Sequence, residues 1–258
     1  MHYPLPIRLA APLLLVALAA CQPETGTDPA PPGERAAAPS AQTPAAGDAA
    51  SAGAASSTEA ASEASDEPIV HTLVPLPGKE DQVPILTRAT TIVLETTAGD
   101  VTIDVYPQAA PNAAERFVQL VESGFYDDTP ISRVVPGFVA QFGVNWRAPH
   151  SAWRNRTFND DPSLFALERG TLAFAKAGPN TNSTQVFINY VENNHLASPE
   201  YNFTVFGKVV DGMEVVDAFV RVGDPGMGLD QGRLWFDGEA YLESLEVKPT
   251  MIERAYVR

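Results

Sequence analysis

The sequence of 258 residues predicts a mainly-β domain whose strands form a closed antiparallel barrel or a sandwich. Two observations support this fold class. From residue 91 onward the chain contains many short apolar runs, some with period-two alternation, which Gly- and Pro-containing turns separate. Only two segments in the same region show the 3.6-residue period of an amphipathic helix. The pattern alone does not distinguish a barrel from a sandwich.

The first segment, residues 1–20, is interpreted as a signal peptide. Arg8 precedes the apolar run LAAPLLLVALAA at 9–20, which is too short to span a bilayer and is typical of a signal-peptide core. The run ends in Leu18-Ala19-Ala20-Cys21, which resembles a bacterial lipobox. That resemblance implies cleavage before Cys21 and a lipid on its thiol, and Cys21 is the only cysteine in the chain. The alternative is an ordinary secretory signal with an incidental cysteine.

The resemblance to a lipobox also predicts where the protein acts. Gln22 follows the lipidated position and resembles the sorting signal for the outer membrane of Gram-negative bacteria. More than one acyl chain gives stable anchoring, because each buried methylene contributes about 0.8 kcal/mol. We therefore expect a lipoprotein of the bacterial cell envelope that faces the periplasm and is held in the outer membrane through Cys21.

The next segment, residues 21–68, is predicted to be a lipidated cysteine followed by a disordered tether. Residues 22–68 contain no Val, Ile, Leu, Met or aromatic residue, so they cannot bury enough apolar surface to offset the entropy of ordering. Residues 69–89 contain Pro75, Pro77 and Pro84 and are expected to form an irregular lead-in. Residues 90–258 supply the folded domain.

Charge and residue counts exclude several classes of function. The formal charge is −15, of which −7 falls on residues 22–68 and −9 on residues 69–258, so nucleic acid and anionic lipid surfaces would repel the chain. One cysteine cannot form an intramolecular disulfide. The four histidines lie far apart without metal-ligand spacing, so we expect neither a metal nor another cofactor.

The elements of the domain follow from local periodicity. Two alternating runs flank the turn at 98–100 and predict a hairpin, and the segment PNAAERFVQLVESG at 111–124 predicts a helix that starts at a proline and ends at a glycine. A second short helix is predicted at 212–219. Further strands are predicted at 131–135, 138–142, 171–175, 185–191, 202–210, 234–238 and 241–247.

Three ordered segments resemble the signature stretches of the cyclophilin family. They are SRVVPGFVAQ at 132–141, AKAGPNTNSTQVFI at 175–188 and VFGKVVDGM at 205–213, and the likeness covers residues 90–249. The resemblance implies a closed eight-stranded antiparallel β-barrel capped by two α-helices. It also implies peptidyl-prolyl cis–trans isomerase activity on proline-containing polypeptides. Nothing in the sequence indicates an oligomer, so we expect a monomer.

Arg133 matches the donor of that family, and its chemistry suits the task. Rotation of an Xaa–Pro bond loses amide resonance against a barrier of about 18–20 kcal/mol. No bond breaks, so the reaction needs a hydrogen-bond donor near the prolyl nitrogen rather than a nucleophile, base or metal. A guanidinium stays charged and offers several fixed N–H groups. The alternative for Arg133 is a solvated strand residue paired with a carboxylate.

The resemblance also implies the substrate-binding residues. Those that match the proline pocket are Phe138, Val139, Phe187 and Leu196. Those that match the backbone contacts are Gln141, Gln185 and the main chain of Ala175 and Lys176. Strand geometry independently puts Val139 and Gln141 on one face of their strand, and in the same way puts Gln185, Phe187 and Asn189 on one face of theirs. From the residues alone, Phe138 and Phe187 are also typical of an apolar core.

The chain departs from the family pattern at the edge of the site. His195 stands where Trp is frequent, Phe203 aligns with the usual His at the pocket rim, and Lys176 replaces a frequent Asn. The Trp of cyclosporin-sensitive members donates a hydrogen bond to the drug, so His195 predicts weak cyclosporin binding. These differences bear on efficiency rather than on reaction type. A rim residue that shapes the pocket is favoured for His195 over a metal ligand or an acid–base group.

The leading hypothesis is an isomerase that assists the folding of envelope proteins. A binding module with little turnover, acting as a chaperone or scaffold for proline-containing segments, is the alternative. A structural lipoprotein whose barrel only spaces other components is a third hypothesis.

Overall fold

The computed structural model describes residues 73–258, and eight strands in this part form a closed barrel. The strand order around the barrel is β1-β2-β7-β5-β6-β4-β3-β8, and all neighbouring strands are antiparallel. The strands are β1 Thr90–Thr96, β2 Gly99–Val105, β3 Thr129–Val135, β4 Val139–Phe142, β5 Thr171–Phe174, β6 Val186–Asn189, β7 Val205–Asp211 and β8 Met251–Val257. The predicted closed eight-stranded barrel is confirmed, and the sandwich is excluded.

The described residues include four α-helices and two short 3₁₀ helices. The α-helices are α1 Pro111–Glu122, α2 Met213–Asp217, α3 Gln231–Phe236 and α4 Glu239–Ser244, and the 3₁₀ helices are His150–Asn155 and Asn194–Ala197. Helix α1 begins at the predicted proline and buries Phe117 and Leu120. Its N-terminal N–H groups at Asn112 and Ala113 donate to the carboxylate of Asp161, at 3.2 and 2.9 Å. This carboxylate therefore supplies the cap that the helix sequence lacks.

The main apolar core fills the barrel. Aromatic rings dominate it, and the ring centres of Phe117, Tyr126, Phe142 and Phe206 lie 5.1 to 5.4 Å from a neighbour. A second apolar cluster lies on the opposite face of strands β4 to β7. Val139 and Phe187 belong to this outer cluster, whereas their chain neighbours point into the barrel. The candidate functional site is built on this outer face.

The chain before β1 lies against the outer cluster. Leu73 and Leu86 are buried in it, and the backbone N–H of Leu76 donates to the carbonyl of Leu164 at 2.9 Å. Residues 73–89 are largely irregular. The predicted signal peptide at 1–20, the tether at 21–68 and the lipidation position Cys21 lie outside the described residues. Between residues 73 and 258, no helix has the length and apolar character needed to cross a bilayer.

Two predicted strands are wrong. Residues 234–238 and 241–247 were expected to extend the sheet, but this region forms the helices α3 and α4. Asp230 caps α3, because its carboxylate accepts from the backbone N–H of Arg233 at 2.9 Å. Leu234 and Tyr241 are buried in a third apolar cluster, around Val144, and not in the barrel. The strand that closes the barrel is instead β8, which the sequence pattern did not predict.

Candidate active site

The outer cluster brings together six of the residues predicted for the site. They are Phe138, Val139, Ala175, Phe187, Leu196 and Phe203. Val139 and Phe187 are buried, because β4 and β6 are adjacent strands and direct these side chains to the outer face. Phe138 and Leu196 are partly buried and cover them. The arrangement provides an apolar surface whose character suits a small ring.

Phe203 occupies a different place from the one predicted. The sequence suggested the pocket rim, but Phe203 is only 9% exposed and its ring meets that of Phe187 edge to face, with centroids 5.6 Å apart. Edge-to-face packing of two rings is favourable beyond the area that they bury. Phe203 therefore forms part of the wall behind Phe187.

Arg133 lies next to this apolar surface on strand β3. Its Nε donates to the carbonyl of Gly226 at 2.7 Å, and its Nη1 donates to Oε1 of Gln141 at 3.3 Å. The guanidinium carbon is 5.6 Å from the centre of the Phe138 ring, a cation–π distance. Burial lowers the pKa of Arg133, yet an arginine stays charged at any pH near neutrality. The charge therefore faces an aromatic surface from a fixed position.

Two glutamines continue the hydrogen bonds away from Arg133. The Nε2 of Gln141 donates to Oε1 of Gln185 at 2.8 Å. Because Oε1 of Gln141 accepts from Arg133, the orientation of its amide is fixed by both partners. Gln141 is buried and Gln185 is half-buried, so Gln185 presents the polar end of this row to the surface. The side chains of Arg133 on β3, Gln141 on β4 and Gln185, just before β6, thus form one polar line beside the apolar surface.

Lys176 has a role that the sequence did not predict. Its side chain is 4% exposed, and Nζ donates to a carboxylate oxygen of Asp160 at 2.7 Å and to the carbonyl of Asn202 at 3.0 Å. Nζ also lies 5.4 Å from the ring centre of Phe203. The buried ammonium of Lys176 joins three loops beside the site, in addition to the main-chain contact with the peptide that the sequence predicts. The neighbouring Ala175 N–H donates to the Gln185 carbonyl at 2.8 Å, so it is already engaged.

His195 lies at the outer edge of the apolar surface. It is exposed, and its ring is nearly parallel to that of Phe138, at 22° with centroids 6.5 Å apart. Asn193, two positions earlier, donates its Nδ2 to the carbonyl of Phe138 at 3.2 Å and to Oδ1 of Asn189 at 2.8 Å. Asn193 thereby ties the 3₁₀ helix Asn194–Ala197 to strand β6, and sequence reasoning missed it.

No metal site accompanies these residues in the part of the chain that is described. Between residues 73 and 258, no three His, Cys, Asp or Glu side chains are grouped so that they could hold an ion.

Sequence reasoning also missed Gly226, which holds Arg133, and Asp160, which pairs with Lys176. No local pattern marks either residue, because each acts through a partner that is distant in sequence.

Comparisons with known proteins place this chain in a family. The family model described as "Cyclophilin type peptidyl-prolyl cis-trans isomerase/CLD" matches residues 91–229. A "Peptidyl-prolyl cis-trans isomerase-like 3" of Rhizopus delemar is 37% identical over 134 residues, 48% of this chain and 76% of that protein. The Homo sapiens protein of the same name is 36% identical over 136 residues, 51% of this chain and 82% of that protein.

A solved structure shares the fold. It is a cyclophilin type peptidyl-prolyl cis–trans isomerase of Cryptosporidium parvum, with a TM-score of 0.51 and 23% identity. The match covers 66% of this chain and 98% of that one. At this identity the likeness supports the barrel architecture.

Proposed function

The chain belongs to the cyclophilin-type peptidyl-prolyl cis–trans isomerases, and from this premise we propose that it uses Arg133 to accelerate rotation about Xaa–Pro bonds in proteins of a bacterial envelope. The isomerase family follows from the comparisons. The role of Arg133 and the cellular setting are what we propose. The observation that carries the mechanism is a guanidinium held from two sides at the edge of an apolar surface.

The reaction needs a hydrogen-bond donor at the prolyl nitrogen. When the Xaa–Pro bond twists, the prolyl nitrogen loses conjugation with the carbonyl and regains a localised lone pair. An N–H group that reaches this lone pair stabilises the twisted state more than either planar isomer, which is the condition for a faster rate. Arg133 carries five N–H bonds, and two of them are used by Gly226 and Gln141. The other three have no acceptor among residues 73–258 and are free for the peptide.

The magnitude is consistent with one donor and a binding surface acting together. A rate increase of about 10⁴-fold requires about 5.5 kcal/mol. One preorganised donor supplies about 2.7–4 kcal/mol. The remainder must come from the apolar surface that grips the proline ring and from contacts that hold the flanking peptide.

The surrounding residues supply those contacts. We assign the proline ring to the surface of Phe138, Val139, Phe187 and Leu196. The amide of Gln185 and the main-chain groups of Lys176 then bond the flanking peptide backbone, in the manner of an added strand. Within the described residues, neither main-chain group of Lys176 bonds another backbone group. His195 limits the pocket at its rim, and we expect weak cyclosporin binding there.

The envelope setting rests on the sequence before the barrel. The apolar run at 9–20 and Cys21 support a lipid anchor, and the polar stretch at 22–68 supports a spacer between membrane and barrel. The clients would be unfolded or flexible envelope proteins, and the enzyme would act as a monomer. Fatty-acid labelling of the parent chain and a Cys21→Ser variant in a bacterial host tests the anchor. Label on both chains, or on neither, contradicts it.

The mechanism is tested by NMR exchange on a short Xaa–Pro peptide. We expect the full chain to accelerate cis–trans exchange and Arg133→Ala to reduce this by about 100-fold or more, the effect of losing one preorganised donor. Arg254→Ala is the matched control, because Arg254 is exposed on β8 and bonds Glu95 at 2.8 Å. Peptide resonances that shift without faster exchange would identify the low-turnover binding module instead.

A further inference from the structure

A turn that follows the second helix reaches the guanidinium of Arg133. We propose that Asp224 is a positioning residue for the isomerase reaction, because its carboxylate shapes the turn Asp224–Gly228 whose Gly226 carbonyl holds the Nε–H of Arg133. The inference rests on the proposed role of Arg133 as the donor. It adds a residue that lies 91 positions from Arg133 in the sequence and makes no contact with the reacting atoms.

The carboxylate of Asp224 organises the turn from within. One oxygen, Oδ1, accepts from the backbone N–H of Gly226 at 2.8 Å and from that of Met227 at 2.9 Å. Two backbone bonds between Asp224 and Gly228, of 2.8 and 2.9 Å, close the turn. An aspartate that bonds its own following N–H groups is a common turn-forming arrangement. Asp224 forms no ion pair with a described residue, so it stabilises the turn through its hydrogen bonds with the N–H groups of Gly226 and Met227.

The end of the turn contacts strand β3 at Ser132 and Arg133. The N–H of Leu229 donates to the carbonyl of Ser132 at 2.8 Å. Gly228 packs so closely that an added Cβ would lie 2.4 Å from the Ser132 carbonyl oxygen and 2.7 Å from Cα of Arg133. The turn therefore sits directly over the point where the Arg133 side chain leaves the strand.

The Gly226 carbonyl fixes the plane of the guanidinium. Nε, Cζ and both Nη atoms are coplanar, so a hydrogen bond to Nε and another to Nη1 together determine where Nη2 points. The first bond comes from the turn at 2.7 Å and the second from Gln141 at 3.3 Å. The shorter of the two depends on the turn. Without Asp224, two N–H groups of the turn lose their acceptor, and the Gly226 carbonyl is no longer held towards Arg133.

Kinetics of two substitutions test this inference in the full chain. We expect Asp224→Ala to lower kcat by about tenfold with KM within about twofold, which is less than the 100-fold that a 1 Å misplacement can cost. Asp224→Asn keeps an oxygen acceptor, and its kcat should stay within about threefold of the parent. Asp230→Ala is the matched control, because Asp230 also accepts from a backbone N–H but caps α3. A tenfold loss in Asp230→Ala as well would overturn the inference.

A second measurement detects the hydrogen bond between Arg133 and Gly226 directly. We expect the Arg133 Nε–H signal, identified by its absence in Arg133→Ala, to show a through-hydrogen-bond coupling to the Gly226 carbonyl carbon. The coupling should disappear in Asp224→Ala. No coupling in the parent, or an unchanged coupling and kcat in Asp224→Ala, refutes the inference. If Arg133→Ala itself retains full activity, the proposed mechanism has failed, and that outcome is distinct from either of these.

Discussion

Replacing Asp160 with alanine removes the carboxylate that neutralises the buried ammonium of Lys176. The two side chains are 13% and 4% exposed and their charged atoms lie 2.7 Å apart. Breaking one side of a buried ion pair costs about 3–5 kcal/mol, because an uncompensated charge stays in a poorly solvated place. Lys176 would keep the Asn202 carbonyl at 3.0 Å and the ring of Phe203, so we expect the lower end, about 3 kcal/mol.

Urea unfolding followed by tryptophan fluorescence measures this cost. Thermal unfolding gives a second measure. A domain of this size loses about 2–4 °C of melting temperature per kcal/mol, so the melting temperature should fall by about 6–12 °C. An unchanged dependence of the unfolding free energy on urea would show that stability changed and not the extent of unfolding. Removing the second charge should reverse the loss. We expect Lys176→Met in the Asp160→Ala background to recover at least about 2 kcal/mol, since replacing a whole buried pair by apolar groups is often neutral.

The control is an ion pair of similar length at the surface. Arg169 and Asp217 lie 2.6 Å apart, but both side chains are 47% exposed, so Asp217→Ala should cost less than about 1 kcal/mol. If Asp160→Ala costs no more than Asp217→Ala, or if the double variant recovers nothing, the buried pair does not stabilise the loops beside the site. The reasoning that assigns Lys176 a structural side chain would then be wrong.

Three further predictions concern the turn and the rim. Gly228→Ala should cost more than about 2 kcal/mol in the urea assay, because φ is +75° and the new Cβ meets the Ser132 carbonyl, whereas Gly178→Ala, with open space around it, should not. The backbone N–H groups of Gly226 and then Met227 lower the pKa of Asp224. This carboxylate therefore contributes stability at neutral pH, and that stability is lost as the pH falls through the lowered pKa. Amide NMR signals of the turn that titrate at or above the ordinary pKa of an aspartate contradict this. His195→Trp should raise cyclosporin affinity by about fivefold in calorimetry, the worth of one neutral hydrogen bond, and an unchanged affinity would count against the rim position of residue 195.

The strands that the sequence revealed are those with regular alternation. In β8 the two buried side chains, Ile252 and Ala255, are three positions apart, a spacing that does not fit the two-residue period of a strand. The cause is an irregularity in the pairing with β1, where Glu95 lies opposite Arg254 but Thr96 lies opposite Ile252. One extra residue on β8 shifts the inward face by one position, as in a β-bulge. Because the partner strand determines this shift, the local sequence could not show it.

Short helices escaped prediction for a different reason. Helices α3 and α4 have six residues each, fewer than two turns, so the helical period does not repeat twice in either. The apolar residues in them, such as Leu234 and Tyr241, are equally typical of short strands. The structure shows that Asp230 caps α3, but an aspartate alone is as typical of a turn as of a helix start.

Some residues of the candidate site could be found from local sequence motifs, and others only from contacts between distant parts of the chain. The residues around Arg133, Gln141 and Gln185 belong to stretches whose resemblance to a family is visible in the sequence, and the fold brings their side chains within hydrogen-bonding distance. The Gly226 carbonyl that holds Arg133 is 93 positions away, and Asp160 is 16 positions from Lys176. Neither distance is a period of a helix or strand, so only the folded chain reveals these partners.

The seam that β8 forms with β1 and β3 has a consequence for how the protein folds. Arg254 of β8 pairs with Glu95 of β1 across 159 positions of sequence, so the ring of strands closes through some of its most distant contacts. Such contacts cost loop entropy before they contribute stability, and they slow folding. Until β8 arrives, β1 and β3 each carry an unpaired edge on which another chain can add a strand. Closure of the seam is therefore the step at which aggregation competes with folding, and a chaperone that shields these two edges would protect the protein there.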